Sequence, residues 1–151
     1  MKSEIKEILY KNCDAYVAKK LQTIESTILS NKNALHSETK SSAGDKHETG
    51  RAMLQLEMEK AGQQLKEVQQ MKLLLEKVNI KESSDLVRLG TIIFTNNVKY
   101  FLAISVGKIT IEGDDYFAIS SNSPIGRLLL GKKVGDSYFF QGKNLKIDKV
   151  L

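Results

Sequence analysis

Two carboxylates three residues apart, Asp45 and Glu48, lie in a stretch from Ser37 to Gly50 that holds no apolar residue larger than alanine. On the first turn of a helix that spacing puts both on one side, where they could share a divalent ion. Mg²⁺ takes oxygen from one or two carboxylates and completes its shell with water and phosphate. Two carboxylates alone hold such an ion weakly, so a site of this kind works beside another metal or a phosphate. The same Asp-x-x-Glu is also a capping box, with Asp45 as N-cap and Glu48 reaching back from the third helical position. Spacing alone leaves both open. His47 reads as an exposed loop histidine. Lys40, Lys46 and Arg51 flank the pair, either as solvated charges around a turn or as contacts for RNA phosphate.

A second run carries legible structure: Ile119-Ser120-Ser121-Asn122-Ser123-Pro124-Ile125-Gly126-Arg127-Leu128-Leu129-Leu130-Gly131. Ser123 is a good N-cap, Pro124 suits the first helical turn, and Gly131 ends a helix after Leu130. The run predicts one short capped helix packed on a sheet.

The elements that position these groups follow from periodicity. Val17, Leu21, Ile24, Ile28, Asn31 and Leu35 are spaced 4-3-4-3-4, a coiled-coil seam with one polar member. Leu54, Met58, Ala61, Leu65, Val68 and Lys72 repeat that spacing, continued by Leu75 and Val78. Such narrow stripes are structural. Folded antiparallel, 35 pairs with 54, 31 with 58, 28 with 61 and 24 with 65, which places the turn between Gly44 and Asp45. A slip of one heptad moves that point three or four residues, still within the polar stretch. Helices of roughly 30 residues give a rod about 45 Å long. A domain of some 65 residues cannot bury its far end.

After Asp85 the texture changes to short β-branched and aromatic runs broken by Gly, Asn and Asp: Leu89–Phe94, Lys99–Val106, Lys108–Glu112, Tyr116–Ser120, Ser137–Gln141 and Leu145–Val150. The expected organisation is α+β. A helical hairpin spans residues 1–78 with its tip near 38–50, 79–86 is a linker, and 87–151 forms a small antiparallel sheet domain with one short helix.

Composition narrows the function classes. Of the 151 residues 41% are hydrophobic and 27% charged, which fits a folded protein rather than a disordered one. No apolar run reaches the roughly 20 residues that cross a membrane, and the start, Met1-Lys2-Ser3-Glu4, lacks a signal-peptide pattern. Cys13 has no internal partner, and with His36 and His47 it makes a poor zinc set. The expected location is cytoplasmic. The net charge of +5 is spread thinly, with 13 Lys/Arg against 11 Asp/Glu in residues 1–80. A duplex-DNA binder would show a denser basic stripe; this charge permits nucleic-acid contact without predicting it.

The run Gly44-Asp45-Lys46-His47-Glu48 resembles the Gly-Asp-x-x-Glu tip of the GreA/GreB family of transcript-cleavage factors, and it falls at the turn of an N-terminal helical hairpin as it does there. Ile119 to Asp136, with its Asn-Ser-Pro-Ile core, apolar stretch, Gly131-Lys132 and Gly135-Asp136, is similar to that family's C-terminal signature. The resemblance implies an FKBP-like C-terminal domain that docks at the rim of the RNA polymerase secondary channel through Ser120, Ser121, Asn122, Ser123, Pro124, Ile125, Gly126 and Arg127. It implies that the hairpin enters the channel and that Asp45 and Glu48 help hold the second Mg²⁺ beside the nascent RNA 3′ end. Most of the catalytic apparatus then belongs to the polymerase. The factor itself would be a monomer without nuclease activity of its own. Beyond Glu48 the family usually continues Asn-Ala-Glu-Tyr, whereas this chain has Thr49-Gly50-Arg51-Ala52. Three alternatives stand beside this expectation: a channel-binding regulator that does not stimulate cleavage, an FKBP-like prolyl isomerase with a helical arm, and a generic coiled-coil interaction module.

Overall fold

The computed structural model describes residues 2–40 and 44–151, with side chains at 4–37 and 48–151. Two long helices open the chain, α1 (Lys2–Lys40) and α2 (Gly44–Glu76). Neither segment contains proline, and both are rich in Lys, Glu, Gln, Leu and Ala, which lose little side-chain freedom in a helix. The chain divides into two compact units, one of residues 17–72 and one of residues 1–16 with 73–151. The base of the hairpin therefore belongs to the same unit as the sheet.

Within residues 17–72 the expected seam is the buried one. Val17, Ile24 and Asn31 on α1, and Ala61 and Val68 on α2, are buried, while Leu21, Ile28, Leu35, Leu54, Met58 and Leu65 are half-buried. Two details are corrected. Lys72 is exposed and Met71 takes its place, so the stripe runs 68, 71, 75, 78; a lysine ammonium cannot enter a dry seam when a thioether one position earlier can. The turn is also displaced: α2 already begins at Gly44, so Gly44 and Asp45 are helical. The Tyr10 hydroxyl donates to the Leu75 carbonyl at 3.5 Å.

In the other unit six strands form one sheet: β1 (Ile92–Thr95), β2 (Lys99–Ala103), β3 (Gly107–Ile111), β4 (Asp114–Ser120), β5 (Ser137–Phe140) and β6 (Lys143–Val150), in the order β3-β4-β2-β1-β6-β5. Every run that alternation singled out overlaps one of them. The sheet is mixed, however, where an antiparallel one was expected: β2 and β4 pair in parallel, Lys99 opposite Tyr116 through Ala103 opposite Ser120. The cause is local. β3 and β4 form a tight hairpin through Glu112 (φ 51°) and Gly113 (φ 85°), a turn with positive φ at both centres. β4 returns between β3 and β2, and so runs along β2.

One sheet face packs against the short helix α3 (Pro124–Leu129). Val87, Ile93, Tyr100, Leu102, Ile125, Leu129, Tyr138 and Ile147 form its core. On the other face Ile92, Phe101 and Ala103 are fully buried as well. The hairpin base supplies Leu9 and Cys13, both at 0% exposure, and the Cys13 thiol lies against the Ile104 backbone. A helix–sheet–helix stack of this kind closes two apolar layers around one sheet. Among the described residues, no helix is long and apolar enough to cross a membrane.

Candidate functional site

The expected site residues fall into two groups, one in each unit. At the hairpin end, Lys40 is the last residue of α1, and Asp45, Lys46, Glu48 and Arg51 lie in the first two turns of α2. The side chains of Lys40, Asp45 and Lys46 lie outside the described residues. Glu48 and Arg51 are exposed. Because α2 starts at Gly44, Asp45 stands inside the first helical turn rather than in the cap position before it. Acidic residues there favour the helix through its dipole. Asp45 and Glu48 stand three residues apart on one helix, the spacing that puts two groups on one side. Among the described residues, no group of three or more His, Cys, Asp or Glu is placed to hold a metal.

The second group, Ser120 to Arg127, is built in detail. Ser123 is the N-cap of α3: its Oγ accepts from the Gly126 N–H at 3.1 Å. The same Oγ donates to the Ser120 carbonyl at 2.6 Å, and the Ser123 N–H donates to that carbonyl at 3.1 Å. Ser120 Oγ accepts from the Asn122 N–H at 3.1 Å, and the Ser120 N–H donates to Ser105 Oγ at 3.2 Å. The end of β4 and the start of α3 are thereby locked together. Pro124 occupies the first turn, and Gly131 follows the helix with φ +84°, both as the sequence led one to expect. Ile125 and Gly126 are buried, whereas Asn122, Pro124 and Arg127 are exposed. Ser121 lines a shallow cleft of about 380 Å³ with Asn79, Glu82, Arg88 and Leu130. The loop thus offers a fixed polar edge above an apolar anchor.

Sequence reasoning did not find three features. Lys6 is buried, with 4% exposure, and its Nζ donates to the Glu82 carbonyl at 3.5 Å. Burial, then the nearby Arg88, lowers its pKa. Cys13 is a fully buried packing residue, and burial pushes its thiol up to about 12; a free cysteine packs as a small hydrophobe. On the sheet, Lys99 Nζ lies 5.8 Å from the Phe94 ring centroid and 5.4 Å from that of Tyr116, and Lys149 Nζ lies 5.5 Å from Phe94. Each member sits on a different strand, so no local spacing announces the group.

No protein-family model matches the chain, and none of the curated proteins searched matches it.

Proposed function

We propose that the chain is a Gre-type transcription factor that binds RNA polymerase at its secondary channel and stimulates cleavage of backtracked RNA. The observation that supports this best is the locked Ser120–Gly126 loop. The run resembling the family's C-terminal signature is a rigid, partly exposed edge rather than a buried packing element, and rigid polar edges make good docking contacts. In this reading the sheet unit is FKBP-like and carries Ser120, Ser121, Asn122, Ser123, Pro124, Ile125, Gly126 and Arg127 to the channel rim. The helical unit enters the channel with Asp45 and Glu48. These two carboxylates would share a Mg²⁺ whose other ligands come from polymerase and RNA, and the ion supplies Lewis-acid activation of water and charge neutralisation. Lys40, Lys46 and Arg51 neutralise RNA phosphate near the 3′ end. The factor works as a monomer in the cytoplasm.

Arg51 favours a second reading, a channel-binding regulator without cleavage. It replaces an acid of the family pattern, three residues from Glu48, and sets a cation near the carboxylate that would hold metal. The experiment adds the full chain to a stalled, backtracked elongation complex. Shortened RNA, lost in Asp45→Asn and Glu48→Gln while polymerase binding persists, supports the first reading. Binding with no shortened RNA supports the second. No binding to polymerase refutes both.

A further inference from the structure

We infer that the open part of the sheet face opposite α3 binds single-stranded nucleic acid, in a patch built from Phe94, Lys99, Phe139, Lys146 and Lys149. This stands apart from the proposed function and uses none of its residues. The placement follows from register. Tyr138 and Ile147 point into the α3-side core, so Phe139 and Lys146, one position along each strand, point to the other face. Phe94 pairs with Lys149, Phe139 with Asn144 and Ser137 with Lys146. Phe139 is 63% exposed, an unusual cost for a phenylalanine on a strand. Asn144 and Lys146 are exposed beside it, and Lys149 is exposed beside Phe94.

The chemistry fits a polyanion with flat apolar groups. Lys99 and Lys149 both sit over the Phe94 ring, at 5.8 and 5.5 Å. Cation–π contact fixes where the ammonium groups stand, so less freedom is lost when they meet a phosphate. Lys99 also reaches Asp114 Oδ1 at 3.3 Å, and Asp148 is the exposed acid of β6; three lysines still outnumber those two acids. Among the described residues Phe139 carries no such cation, and its ring is open to a base. Phe94 and Phe139 are two strands and five residues apart, roughly 18 Å by strand spacing and rise, so a ligand touching both spans several nucleotides. Aromatic platforms beside a basic track are how single strands are held without sequence readout. A duplex hides its base faces and gains only from the lysines.

The test is fluorescence anisotropy of the full chain with a 12-nucleotide mixed-sequence RNA, across a salt series. The duplex of the same sequence and a glutamate peptide of equal charge serve as comparison arms. The single strand is expected to bind more tightly than either. Phe139→Ala should weaken it about 5- to 150-fold with the salt slope unchanged, and Phe139→Tyr should retain binding. Lys146→Gln with Lys149→Gln should reduce the salt slope by about 1.4. Thermal melting of Phe139→Ala should match the parent, because the ring is exposed. Absence of binding at the lowest salt overturns the inference. So does equal binding of duplex or peptide, or retained affinity in Phe139→Ala.

Discussion

Gly126→Ala should be among the most damaging single-atom additions in this chain. A Cβ at position 126 would stand 1.9 Å from the Ser120 carbonyl oxygen and 2.9 Å from its carbon, where ordinary contact begins at 3.4 Å. The obstructing atoms are backbone at the end of β4, and they cannot rotate away. Relief requires a shift of about 1.5 Å, and that oxygen already accepts two hydrogen bonds from Ser123, at 2.6 and 3.1 Å. Overpacking costs about 1–3 kcal/mol, and each strained hydrogen bond about 1 kcal/mol more. Alanine's better helix propensity returns about 1 kcal/mol. The net loss is on the order of 3 kcal/mol, which for a chain of this size lowers Tm by about 6–12 °C. Urea unfolding followed by circular dichroism and tyrosine fluorescence measures it. Gly62→Ala is the control: nothing lies within 4 Å of its Cβ, so it should gain about 0.5–1 kcal/mol. An unfolding midpoint for Gly126→Ala equal to the parent's would refute the close-approach argument.

Two further outcomes follow from buried groups. Asn31 is 6% exposed and its Nδ2 has no hydrogen-bond partner among the described residues, so Asn31→Leu should stabilise the hairpin by about 1 kcal/mol, seen as a Tm rise of about 2–4 °C; a lower Tm would show that the amide is satisfied. Burial pushes the Cys13 thiol from 9.0 up to about 12, and burial with the neighbouring Tyr100 pushes Tyr138 from 10.0 up to about 12. The folded chain keeps protons that the unfolded chain releases. Stability should therefore be unaffected by these groups below pH 9 and should fall between pH 9 and 12, by at most about 1.4 kcal/mol per pH unit for each group. A flat melting temperature across that range would refute the shifts, as would rapid alkylation of Cys13 in the folded chain at pH 8.

The helical seam and all six strands were legible because each rests on local periodicity, which a linear sequence displays. Val17, Ile24, Ala61 and Val68 are buried as their spacing requires. What escaped needs information from two places at once. The parallel β2–β4 pair arises from a hairpin that folds back between its neighbours, and neither strand alone carries a mark of it. Ser123 and Pro124 were readable as a helix start because capping is local. The lock through Ser120, and the reason Gly126 cannot carry a Cβ, depend on β4 approaching from another direction. The Lys99–Phe94–Lys149 cluster draws on three strands and has no sequence signature.

The position of Gly44 also sharpens what the acidic pair can be. A capping box needs Asp45 in front of the first helical residue, yet α2 has already begun at Gly44. Inside the first turn a carboxylate gains only its interaction with the helix dipole, about 0.3–1 kcal/mol when exposed. Asp45→Asn and Glu48→Gln keep side-chain size and remove that term alone, so each should lower stability by less than about 1 kcal/mol. This makes the proposed cleavage test a clean one. If both variants melt within about 3 °C of the parent and still bind polymerase, loss of RNA shortening cannot be assigned to an unfolded tip. It then reports the carboxylate charges themselves, as the metal-sharing reading requires. If instead Asp45→Ala costs clearly more stability than Asp45→Asn, a side-chain hydrogen bond at the helix start is at work, and capping regains its place as the reason those residues are there.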